Sequence, residues 1–280
     1  MLPGGGQDSY RSGDTTFRLG FQFTSGDEAF KGTRPVKNPP AQADIEWSRQ
    51  LVSLELYHQA SEKVGVGVAL PYYEQDSDNR VTGATNHEAG IGDIAGYVLW
   101  SPWARAEAER RLFDSANVTF LVGLSLPTGD DLAGELPGLH SYHLGSGSEE
   151  YKLGARYVGW AAESVTVFAG AVGIIDGGDN RAGFRYGNSY DLYAGAGVQL
   201  SEALSAWFSV DVIERYRDSI GSFELPDSGG MWWFGELGAA ARVGGGVTVE
   251  AIFDVPLYVK VHGIQPVAAF IASLGLRASF

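Results

Sequence analysis

The 280-residue chain contains no cysteine. That absence excludes disulfide frameworks, thiolate zinc sites, iron–sulfur clusters and cysteine nucleophiles. Basic residues are scarce: 20 Lys and Arg stand against 34 Asp and Glu, for a formal net charge of −14. A duplex nucleic-acid binder needs cationic side chains to displace counterions, so no nucleic-acid partner is expected. The 11 prolines follow no G-X-Y period, which excludes collagen. No uninterrupted apolar run approaches ~18 residues, so no transmembrane helix is expected. Membrane-spanning strands stay open, because their signal per segment is far weaker. What the chain has in excess is glycine, 39 residues, about twice the usual ~7%.

Period-two alternation runs through most of the sequence, and helical periodicity is nearly absent. Phe17, Leu19, Phe21 and Phe23 alternate with Arg18, Gly20, Gln22 and Thr24. Val64, Val66, Val68, Leu70 and Tyr72 do the same, as do Val118, Phe120, Val122, Leu124 and Leu126. Such runs predict about twelve strands, at 15–24, 46–59, 64–74, 91–100, 117–126, 149–160, 164–174, 188–200, 204–214, 231–242, 246–257 and 264–280. The connections alternate in length. Those at 61–63, 161–163, 201–203 and 243–245 are short; those at 25–44, 75–90, 127–148, 176–187 and 215–230 are long.

Short turns on one rim and long loops on the other are the plan of an outer-membrane barrel. A soluble sandwich has no reason to sort its loops that way. Ten residues at ~3.3 Å each, tilted ~45°, span roughly 23 Å, close to the ~25 Å apolar band of such barrels. The expected fold class is therefore all-β: a single transmembrane up-and-down antiparallel β-barrel of about twelve strands, with short periplasmic turns and long extracellular loops. It occupies 15–280, and residues 1–14 form either a flexible tail or a small plug. The amino terminus lacks the basic and apolar segments of a signal peptide, which is taken as removed, with both barrel termini periplasmic.

The polar face of the alternation carries Arg18, Glu55, Asp93, Lys152, Arg156, Asp211, Glu236, Arg242, Glu250, Asp254 and Arg277. Charges on one face of a sheet need water or mutual pairing, so these residues are expected to line a lumen, narrowed by Tyr57, Tyr73, Tyr97 and Trp207. Tyr72, Trp100, Trp103, Tyr157, Trp160, Trp232 and Tyr258 fall near strand ends, where aromatic girdles meet membrane interfaces.

The last residues, Ser273-Leu-Gly-Leu-Arg-Ala-Ser-Phe280, place Gly275 and a terminal Phe280 at alternating positions. This resembles the carboxy-terminal signal by which Gram-negative barrels are handed to the barrel-assembly machinery. A broader resemblance rests on four elements in order: VGVGVALPYYEQ from Val64, Gly90-Ile-Gly-Asp93, Leu124-Ser-Leu-Pro127-Thr-Gly-Asp130 and His143-Leu-Gly-Ser-Gly-Ser148. Their order is similar to that in the outer-membrane transporter family described as "putative MetA-pathway of phenol degradation" proteins, over roughly 46–260. The resemblance implies an outer-membrane barrel and passage of small aromatic or hydrophobic compounds.

Other motifs take plainer readings. Gly90-Ile-Gly-Asp93 lacks the following helix of a dinucleotide fingerprint and reads as entry into a strand. Asp130, Asp131, Glu135, Glu149 and Glu150 make an acidic surface loop, with a weak calcium site as the alternative. His140 and His143 read as loop histidines, and nothing in the spacing assembles Ser141, His143 and Asp130 into a catalytic set. Residues 101–115 form the one helical-looking stretch and the best partner contact. The sequence thus points to a non-enzymatic outer-membrane channel for a small solute, without cofactor or metal. Its expected surroundings are the lipid bilayer, lipopolysaccharide and the assembly machinery. The alternative is a structural sleeve or anchor for a periplasmic or surface protein.

Overall fold

The computed structural model describes residues 13–103, 117–129 and 144–280. Twelve antiparallel strands close into a ring: β1 (Thr15–Gly26), β2 (Ile45–His58), β3 (Val64–Asn79), β4 (Thr85–Ile91 and Ile94–Trp100), β5 (Asn117–Leu126), β6 (Glu150–Ala162), β7 (Val165–Asp176), β8 (Ser189–Gln199), β9 (Leu204–Arg215), β10 (Gly230–Gly244), β11 (Val247–Val267) and β12 (Phe270–Ser279). β1 pairs with both β2 and β12, and β10 pairs with both β9 and β11, so the ring has no edge strand. Closure leaves the ring itself without an exposed hydrogen-bonding edge.

The barrel is turned inside out relative to a soluble protein. Leu54, Leu124, Leu153, Leu192, Leu237 and Leu274 are exposed, and the wholly buried apolar residues form only small clusters. Aromatic residues stand exposed at both ends of this apolar belt. Trp100 and Trp103 pack on Phe120 near the short-turn rim, whereas Tyr190 packs on Tyr216 and Trp233 on Tyr258 near the long-loop rim. Trp232 departs from the expected girdle, because it packs against the buried Val259, Val261 and Val267.

Strand number matches the alternation, but three boundaries do not. The expected loop at 75–90 is largely a raised hairpin, with Tyr72–Asp78 paired to Thr85–Ile91. β4 is broken at Gly92 and Asp93. β11 runs on to Val267, so residues 264–267 belong to it and β12 begins only at Phe270. Within β11, a register slip opposite Trp233 and Phe234 leaves both Leu257 and Tyr258 exposed and reverses the inward parity beyond them. Val259 and Val261 then turn inward, and the raised end of β11 pairs with Glu28–Gly32.

The glycine excess finds its use on the inner wall. The ring of Trp207 lies over Gly238 of the neighbouring strand, where a Cβ would come within 2.0 Å of the indole. Tyr57 covers Gly65 and Tyr97 covers Gly67 in the same manner. Bulky rings can lie flat on the wall only where the facing residue has no side chain.

Candidate functional site

The inner wall divides into arcs of different electrostatics. On the arc from β11 through β12 and β1 to β2, charge is answered by charge. Arg18 Nη2 donates to Glu250 Oε2 at 2.7 Å, and Arg277 Nη2 lies 4.0 Å from Glu250 Oε1. Glu250 is only 4% exposed, so its two cationic neighbours matter. Gly275 faces the same cluster, opposite Glu250 in the β11–β12 register. Glu55, opposite Arg18 across β1 and β2, accepts the Tyr97 hydroxyl, and Tyr97 stacks on Tyr57 at 6.4 Å between ring centroids. Further round, Lys152 Nζ is 3.8 Å from Glu150. Arg156 is half-buried on β6.

On the adjoining arc, β8 to β11 contribute Asp191, Asp211, Glu236 and Asp254. Carboxylate oxygens of Asp211, Glu236 and Asp254 lie within 4.8 Å of one another. Glu236 sits directly opposite Asp254 in the β10–β11 register. Trp207 Nε1 donates to Glu236 Oε1 at 2.5 Å, and Ser209 Oγ donates to the same oxygen at 3.1 Å. Both donors fix the direction of that carboxylate, which accepts hydrogen bonds and offers none when ionised.

The long-loop mouth is drawn inward by three aspartates. Asp93 accepts bonds from Gly129 N at 2.9 Å, Ser146 N at 2.7 Å and Ser146 Oγ at 2.8 Å. Asp176 accepts from Ser148 Oγ, Gly178 N and Tyr186 N. Asp218 accepts from Gly187 N at 2.8 Å and pairs with Arg215. Burial holds the Tyr186 hydroxyl protonated far above the usual tyrosine range. Beside these pins lies a cavity of about 140 Å³ lined by Glu150, Asp176, Tyr186 and Arg215. Arg49 caps the Tyr73 ring at 4.1 Å, a cation–π contact within the wall.

Ten of the eleven expected wall residues are partly or wholly covered, and two take roles other than expected. Asp93 fastens loop backbone at the break in β4. Arg242 is exposed at the short-turn rim, because the β10–β11 ladder slips between Arg242 and Gly244 and releases the strand end. Asp176, Asp218, Asp191 and Arg49 were not singled out by the sequence. The run Ile174-Ile-Asp-Gly-Gly-Asp-Asn180 carried the turn chemistry that marks Asp176 as a loop anchor. The amino-terminal tail over 1–12, most of the helical-looking stretch, and Asp130, Asp131, Glu135, His140, Ser141 and His143 lie outside the described residues.

A closed ring, an apolar exterior bounded by aromatics and a charged interior define the barrel class of outer-membrane proteins. The comparison with solved structures agrees. The chain superposes on an outer membrane channel from Pseudomonas putida F1 with a TM-score of 0.80, 16% identity and full coverage of both chains. It also resembles the beta domain of the Bordetella autotransporter BrkA, at a TM-score of 0.55 and 10% identity over 95% of this chain and all of that one. A deletion mutant of the monoaromatic hydrocarbon channel TodX gives 0.51 and 10% over 97% and 91%. At these identities the likeness establishes the fold. No protein-family model matches the chain, and no curated protein matches it.

Proposed function

We propose that this barrel sits in a bacterial outer membrane and passes a small solute by passive or facilitated diffusion. The observation that carries the reading is the division of each strand between an exposed apolar face and an inner face of charged and aromatic residues. Such a division suits lipid outside and water inside. The short-turn rim and both chain termini face the periplasm, and the pinned loops face outward. Assembly proceeds through the carboxy-terminal strand ending in Phe280, with lipopolysaccharide around the outer rim.

Small aromatic or hydrophobic compounds are the proposed solutes. Tyr57, Tyr97, Phe168, Tyr193 and Trp207 give the inner wall flat apolar surface between its charges. The P. putida protein is an outer membrane channel of the same fold class, and TodX, a monoaromatic hydrocarbon channel, supports the aromatic direction. The acid arc favours this reading over a sleeve, whose filled interior would answer each charge with a partner. Liposomes carrying the purified barrel test it. They should take up a small aromatic solute faster than protein-free liposomes and faster than a disaccharide. Equal rates with and without protein would overturn the proposal.

A further inference from the structure

We propose that Asp211, Glu236 and Asp254 form a binding site for a hard divalent cation of the calcium type, set in the barrel wall. The donor set is purely carboxylate oxygen, from three neighbouring strands, with oxygens within 4.8 Å of one another. Calcium and magnesium take oxygen ligands, whereas zinc and copper sites draw on histidine or cysteine, and neither is part of this cluster.

Two further observations point to a ligand. Asp254 is 8% exposed, and its Oδ1 is buried without a hydrogen-bond partner. That oxygen belongs to the carboxylate placed in register against Glu236, so two acidic side chains stand opposite each other across the β10–β11 ladder. No Lys, Arg or His among the described residues forms an ion pair with any of the three. Like charges directly opposite across a sheet repel, and a dry anion without a partner is costly. A bound dication relieves both penalties.

The site is also partly preorganised. Trp207 and Ser209 each donate to Glu236 Oε1, and Gly238 provides the floor on which the Trp207 ring lies. Glu236 Oε2 is thereby left to a ligand, together with the Asp211 and Asp254 carboxylates. Lumen water completes the six to eight oxygens that calcium takes.

The indole of Trp207 makes the proposal easy to read, because it stands 2.5 Å from a ligand carboxylate and can sensitise terbium luminescence. The full-length barrel, refolded in detergent and stripped with EDTA, is titrated with Tb³⁺ under tryptophan excitation. We expect saturable emission that Ca²⁺ displaces, with affinity at least tenfold weaker in Asp211→Asn and in Asp254→Asn. Asp76→Asn should leave it unchanged, since Asp76 belongs to a separate exposed cluster with Glu74 and His87. No saturable emission, or unchanged affinity in Asn variants that still form heat-modifiable barrels, would overturn the site. Should an Asn variant fail to fold, calorimetry decides on Asp76→Asn alone. One Ca²⁺ bound per barrel supports the site; none overturns it.

Discussion

On the β12–β1 side of the lumen, Glu250 is held between Arg18 and Arg277, and Glu55 takes the Tyr97 hydroxyl. On the β8–β11 side, four acids share the wall and none forms an ion pair with a described Lys or Arg. Both arcs come from the same period-two pattern, and both are inward. A charge facing the lumen is thus either structural or available. In the first arc the ions satisfy one another, so removing one strands its partner. In the second, removing an acid relieves repulsion and leaves the ring intact.

Two large effects of similar size are expected. Glu250→Gln should destabilise the folded barrel by on the order of 3 kcal/mol, because two arginines lose their buried counter-ion. Urea unfolding from lipid vesicles measures it. Leu124→Arg or Val210→Arg, on the outer face, should cost ~2–4 kcal/mol in the same assay and lower membrane assembly. Normal assembly of both would show that the two faces have been exchanged. Gly238→Ala should cost about 1–3 kcal/mol by pushing the Trp207 ring off the wall and loosening its bond to Glu236; tryptophan emission reports the displacement. Asp211→Asn, by contrast, should in EDTA-containing buffer leave unfolding within about 0.5 kcal/mol of wild type or stabilise the barrel slightly. A loss as large as that of Glu250→Gln would erase the distinction between the arcs.

The smallest effect lies outside the wall. His87 Nδ1 is 2.8 Å from Asp76 Oδ1, and this hydrogen bond raises the imidazole pKa above its usual 6.5. A raised folded pKa means that the contact is complete below the unfolded value and is lost as pH rises through the folded one. Proton NMR should therefore find His87 titrating above 6.5, and Asp76→Asn should bring it back. A His87 midpoint that Asp76→Asn leaves in place would remove the pair as the cause.

Strand number, the outward apolar face and the inward charges were legible because side chains alternate with a period of two. That period sets the face of a residue and leaves its height open, since height depends on the stagger between neighbours. Glu236 meeting Asp254, and Arg18 meeting Glu250, are matters of stagger. The misplaced last hairpin has the same root: the slip that exposes both Leu257 and Tyr258 breaks the alternation, so 258–263 read as a loop. Arg242 kept its parity but sits at a strand end, where parity no longer decides exposure. Asp93 showed as inward, yet its partners are loop backbone more than thirty residues away in sequence, which no local pattern reveals.

Planar bilayers with a KCl gradient test most directly the proposal that the acid arc, which pairs with no described Lys or Arg, lines a conducting path. The wild-type barrel should give discrete conductance steps and a reversal potential on the cation-selective side, shifted toward zero in the Asp211→Asn, Asp254→Asn double variant. A folded barrel that inserts without conducting, or a selectivity that ignores the loss of both carboxylates, would contradict the account.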